Sequence, residues 1–154
     1  MNVGTEWLVD AEGCRPEALR DAAALEAVFR RAEAELRLRA LEAPVFRRFP
    51  GPGGVTGLLL LAESHLTCHT YPEFGTATFN LYCCRARPAW PWKERLAEML
   101  GAQRVRVRVL GRGIAEGRRP VGEALKRTVG RTLLSAHSDG QECPSHGQEG
   151  RADA

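Results

Sequence analysis

Apolar residues recur along this chain with two different periods, and the switches between them mark its elements. Glu6-Trp7-Leu8-Val9-Asp10-Ala11 reads as a short first strand. Pro16 suits a first helical turn, where a missing N–H costs nothing. From there to about residue 40, Leu19, Ala22, Leu25, Phe29, Ala32 and Leu36 step by three or four, the spacing of one buried helical stripe. Pro44 and Pro50-Gly51-Pro52-Gly53-Gly54 punctuate the next stretch, predicting a strand over residues 45–49 and a loop over 50–54. Residues 55–62 are almost continuously apolar, as in a strand that is central or buried on both faces. Residues 76–84 alternate: Thr76, Thr78, Asn80, Tyr82 and Cys84 share one face, and Ala77, Phe79, Leu81 and Cys83 the other. A second helix starts at Pro91, carries Trp92, Leu96, Met99 and Leu100 on one side, and stops at Gly101. Over residues 104–110, Val105, Val107 and Val109 point inward and Arg104, Arg106 and Arg108 outward. The order β-α-β-β-β-β-α-β, with the strand after residue 62 the least marked, predicts an α+β fold. Its form is a two-layer sandwich of a mainly antiparallel sheet with helices on one face.

A length of 154 residues leaves room for one domain of ordinary size. The expected division is a domain over residues 1–110 and a C-terminal extension over 111–154. In the extension Val121, Leu125 and Val129 mark one more short helix, and the chain after about residue 135 is polar and expected to be largely disordered. The longest unbroken apolar run, residues 58–62, is far too short to cross a bilayer, and no basic-then-apolar leader opens the chain. A cytoplasmic protein without a membrane partner is therefore expected. The 22 basic and 19 acidic residues are interspersed, unlike the concentrated positive charge of a nucleic-acid binder. The arginine row at 104, 106 and 108 reads accordingly as a solvated or subunit-facing edge. Only Lys93 and Lys126 are lysines, which leaves little room for chemistry on a lysine Schiff base. The five cysteines, odd in number and without framework spacing, read as free thiols.

The chemistry concentrates in Ala62-Glu63-Ser64-His65-Leu66-Thr67-Cys68-His69-Thr70-Tyr71-Pro72-Glu73, directly after the most apolar strand. Three uses compete for it. His65 and His69, with Cys68 or the Cys83-Cys84 pair, offer metal ligands. Their spacing is poor, however: no CxxC supports them, and Thr67, Thr70 and Pro72 oppose the helix that would align the imidazoles. Ser64 as a hydrolase nucleophile lacks the flanking glycines of a nucleophile elbow. The third use is self-processing. Glu-Ser-His followed by His-Thr-aromatic-Pro-Glu, a Gly-Val-Thr-Gly strand before it and a cysteine after it resemble the bacterial S-adenosylmethionine decarboxylases, which are pyruvoyl enzymes.

That resemblance spans the order of elements from about residue 4 to 110. It implies self-cleavage between Glu63 and Ser64, giving a β chain of residues 1–63 and an α chain whose residue 64 becomes a pyruvoyl group. It further implies that Thr56 supports processing, that His69 performs the proton transfers of the elimination, and that Cys84 returns a proton to the substrate carbon. Phe49 corresponds to the aromatic that stacks on adenine, and Glu73 to the carboxylate that binds the ribose hydroxyls. The pyruvoyl carbonyl, condensed with the substrate amine as a Schiff base, spreads the charge left by loss of carbon dioxide, so neither metal nor pyridoxal phosphate is expected. The product would be the aminopropyl donor of spermidine synthesis, and the working unit a homodimer of αβ protomers. Cys83 and Cys68 read as buried small hydrophobes. Four positions depart from the family pattern: Tyr71 replaces a tryptophan, Asn80 an aspartate, Cys83 a threonine and Arg85 a glycine. The lost negative charge at 80 and the gained positive charge at 85 make an ornithine or arginine decarboxylase the alternative enzyme. A non-catalytic member of the family is the alternative of another kind.

Overall fold

The period-two stretches become strands and the 3.6-period stretches helices. In order they are β1 (Asn2–Glu12), α1 (Pro16–Arg20), α2 (Ala22–Glu35), β2 (Val45–Arg48), β3 (Val55–Leu61), β4 (Ser64–Tyr71), a 3₁₀ turn (Pro72–Phe74), β5 (Thr76–Cys83), α3 (Trp92–Leu100) and β6 (Arg104–Ile114). The structure is a computed structural model and describes residues 2–51 and 53–114. The expected helix around Val121 and the polar tail lie outside the described residues. The strands form one six-stranded sheet in the order β2-β3-β4-β5-β1-β6, antiparallel at every junction.

One face of the sheet is closed. Trp7, Val9, Val55, Leu59, Leu66, Phe79 and Leu81 from the strands bury themselves against Leu19, Leu25, Val28, Phe29, Leu96 and Leu100 from the helices. Removing this much apolar surface from water is the main driving force for the fold. Two glycines let the layers approach. A Cβ at Gly57 would meet the Phe46 ring at 2.3 Å, and one at Gly54 would meet the Thr70 carbonyl oxygen at 2.4 Å. Thr70, a buried polar residue, is fully occupied: its hydroxyl accepts from the Val55 N–H at 2.8 Å and donates to the Leu19 carbonyl at 2.7 Å. It thereby ties β3, β4 and α1 together.

Three expectations need correction. The first helix is two, because Asp21 adopts an extended backbone and its carboxylate accepts from the Ala23 N–H, capping α2 at the expense of continuity. That helix also ends at Glu35 rather than near residue 40. β3 is central, between β2 and β4, rather than buried on both faces: Leu58 and Leu60 are 46% and 50% exposed on the side away from the helices. On the edge strand β6, Val105 packs against the core, but Val107 and Val109 are 41% and 57% exposed, because none of the described helices extends over them. The alternating arginines do face the other way. There Arg104 and Arg106 share Glu12 and Arg108 pairs with Asp10 across the β1–β6 junction, so most of the row's charge is offset.

Candidate active site

β3 and β4 are joined by a two-residue turn, Ala62-Glu63, with Leu61 and Ser64 directly opposite each other. The Glu63–Ser64 peptide therefore sits at a hairpin tip. Ser64 also pairs with Cys83 across β4 and β5. Its hydroxyl hydrogen-bonds the Cys83 thiol, whose pKa burial raises. Glu63 is held twice. Its carbonyl accepts from the Cys84 N–H at 3.3 Å, and its carboxylate lies 2.7 Å from Arg85 Nη2 and 3.9 Å from Arg87 Nη2. Cys84 is exposed just beyond the end of β5. A cavity of about 340 Å³ opens at this tip, lined by Arg39, Glu63, Ser64, Arg85 and Arg87 among others.

The opposite end of β4 carries a second cluster. Thr56 Oγ1 and His69 Nδ1 are 2.5 Å apart across the β3–β4 junction. The imidazole lies between Phe49, with ring centroids 5.7 Å apart, and Tyr71, at 4.6 Å. Phe49, Pro50, Gly54, His69, Tyr71 and Glu73 line a cavity of about 270 Å³. The expected processing histidine, adenine-stacking ring and ribose-binding carboxylate thus share one hollow. Between the two ends, on the same open face, His65 stacks on Tyr82 with centroids 5.8 Å apart, and Asn80 donates to Glu6 at 2.6 Å. Arg112 pairs with that same Glu6 carboxylate.

The predicted residues therefore fall into two groups rather than one. Ser64 and His69 are five positions apart on one strand, which sets them about 16 Å apart and on opposite faces. His65 and His69 do share a face, but at about 13 Å they cannot clasp one ion. Among the described residues no three His, Cys, Asp or Glu side chains gather as metal ligands. Burial pushes the Cys68 thiol up to about 12, which keeps it an unreactive core group. Glu6 was not singled out from the sequence. Its only signal there was its polar place in an alternating strand, and its value comes from lying beside Asn80, seventy-four positions away.

The hairpin thus presents the Glu63–Ser64 peptide at its tip, with the Cys84 amide on the Glu63 carbonyl. The family model for S-adenosylmethionine decarboxylase matches residues 5–113. The S-adenosylmethionine decarboxylase proenzyme of Thermococcus onnurineus is 35% identical over 116 residues, covering 74% of this chain and 80% of that protein. The proenzyme of Syntrophomonas wolfei is 34% identical over 118 residues, covering 75% and 91%. The crystal structure of the adenosylmethionine decarboxylase from Aquifex aeolicus superposes with a TM-score of 0.62 at 27% identity, covering 77% of this chain and 98% of that one. The chain belongs to the S-adenosylmethionine decarboxylase proenzyme family, whose members are carboxy-lyases that depend on a pyruvoyl group made by self-cleavage.

Proposed function

We propose that this chain cleaves itself between Glu63 and Ser64 and then decarboxylates S-adenosylmethionine, in the cytoplasm, to the aminopropyl donor for spermidine. The observation that carries this reading is the hydrogen bond from the Cys84 N–H to the Glu63 carbonyl. When Ser64 Oγ attacks that carbonyl carbon, the developing oxyanion already has a fixed donor. The C–N bond breaks as the C–O bond forms, so the amide becomes an ester. His69 then takes the Ser64 α-proton, and the Glu63 acyl group leaves as a carboxylate. The unsaturated residue left behind loses ammonia to water and becomes the pyruvoyl group. That group supplies the electron sink for decarboxylation, and the reading requires neither metal nor pyridoxal phosphate. Cys84 delivers the proton that replaces carbon dioxide.

A separation of about 16 Å means that His69 cannot serve the Ser64 of its own chain. The reading therefore includes a homodimer in which each site takes Ser64 and Cys84 from one protomer and Thr56 and His69 from the other. Exposed Leu58 and Leu60 on the open sheet face support a dimer, since an apolar face of this kind calls for a partner surface. In such a dimer the second apolar side of β3 is covered as well.

An aromatic hollow with one carboxylate suits an adenosine better than ornithine or arginine. Phe49 and Tyr71 offer ring faces to the base and to a sulfonium, and Glu73 accepts from the ribose hydroxyls. Asn80 is held at 2.6 Å by Glu6, whose carboxylate also pairs with Arg112. The test compares native protein with Ser64→Ala by denaturing gel and by release of labelled carbon dioxide from all three candidates. Native protein gives two fragments and turns over S-adenosylmethionine, whereas the variant does neither. An active variant, or release from ornithine or arginine alone, overturns the reading.

A further inference from the structure

The arginines at the hairpin tip are more numerous than the carboxylate they meet. Among the described residues Glu63 is the one carboxylate paired with Arg85 and Arg87, Arg87 also bonding the Arg37 carbonyl and the Cys83 thiol, and Arg39 lines the same cavity of about 340 Å³ without an ion pair. Two arginines on one carboxylate, with a third lining the same cavity, leave positive charge in excess in an uncut chain. Cleavage corrects it. In the elimination the Ser64 Cβ–Oγ bond breaks, and Glu63 departs with its own carbonyl oxygen and the former serine oxygen as a new α-carboxylate. The residue then carries two negative charges at the spot where the arginines converge, and the Cys84 N–H that held the carbonyl remains aimed at one of them.

From this geometry we infer that Arg85, Arg87 and Arg39 form a dock for the severed end of the β chain. Built on the cleavage reading above, it holds both carboxylates of Glu63 after processing and keeps β3 paired beside residue 64. Charge-assisted hydrogen bonds from guanidinium to carboxylate are among the stronger polar contacts available at a surface. Without them a strand end at a freshly cut tip would fray, as free termini do. The dock thus leaves the new pyruvoyl end open while the product of its formation stays in place.

The test treats fully processed enzyme with a carboxypeptidase and follows the β chain by mass spectrometry. Native enzyme is expected to lose Glu63 at least tenfold more slowly than Arg85→Gln/Arg87→Gln. The Arg85→Lys/Arg87→Lys form, which keeps the charge, should stay within threefold of native. If the glutamine variant yields no processed protein, native enzyme in 1 M sodium chloride replaces it. Trimming there should accelerate at least fivefold, after correction with a free peptide of residues 54–63. Equal trimming with and without the arginines, or no response to salt where that arm is used, overturns the dock alone. A native sample lacking a fragment that ends at residue 63 overturns the cleavage reading and the dock with it.

Discussion

The two ends of β4 are built from different materials. The tip end is polar and crowded with charge: a serine against a thiol, a carbonyl under an amide, and a carboxylate between arginines. The far end is aromatic, with one imidazole between Phe49 and Tyr71 and a single acidic side chain at its rim. Bond breaking needs fixed donors and a held acyl group, and the tip supplies them. Recognition of a flat base needs ring faces in a hollow, and the far end supplies those. On the proposed reading neither is an active site alone, since about 16 Å of β4 separates Ser64 from His69 within a chain.

That division predicts separable defects. The largest belongs to the tip: Cys84→Ala keeps the backbone N–H, so self-cleavage persists on a gel, but kcat falls roughly 10²–10⁴-fold for want of the proton donor. A variant that decarboxylates normally would remove Cys84 from the chemistry. At the far end, Phe49→Ala leaves the fragment pattern intact and raises KM roughly tenfold, since stacking one base contributes about 1–3 kcal/mol. Steady-state kinetics with unchanged KM would place the base elsewhere.

The smallest effect lies away from both ends. Glu35 accepts from Arg31, Arg95 and the Trp90 indole, and these partners, Arg31 first, hold its carboxyl at about 2 against an ordinary 4.5. A carboxyl lowered on folding stabilises the fold above its unfolded value and loses that contribution as pH falls from about 4.5 toward 2. Glu35→Gln should therefore melt below native protein at pH 7 and approach it at pH 2, with cleavage unaffected. A gap between the melting temperatures that does not narrow on acidification contradicts the assignment.

Much of this architecture was legible because local pattern and tertiary demand agree. Residues 76–84 alternate cleanly, and β5 occupies Thr76–Cys83 with the apolar set inward. Gly101 stops α3 in the left-handed conformation, with φ 74°. The misreadings mark places where a neighbour decides. Nothing in β3 announces that its second apolar face is open within one chain, and nothing in the valines of β6 says that none of the described helices extends over them. The helical stripe running through Asp21 does not show that its carboxylate caps α2 and ends α1. At the site, the chemistry of each residue was readable from its motif, but the assembly was not. Twelve consecutive positions look like one cluster on paper, whereas an extended strand spreads them across opposite faces and opposite ends.

The shared site can be tested by co-expressing two differently tagged chains, Ser64→Ala and His69→Ala, and isolating the mixed dimer. Each homodimer should be uncut. In the mixed dimer the His69→Ala chain keeps its serine and borrows the histidine of its partner, so it should yield a fragment ending at residue 63 together with decarboxylase activity. A mixed dimer in which neither chain is cut would contradict the account.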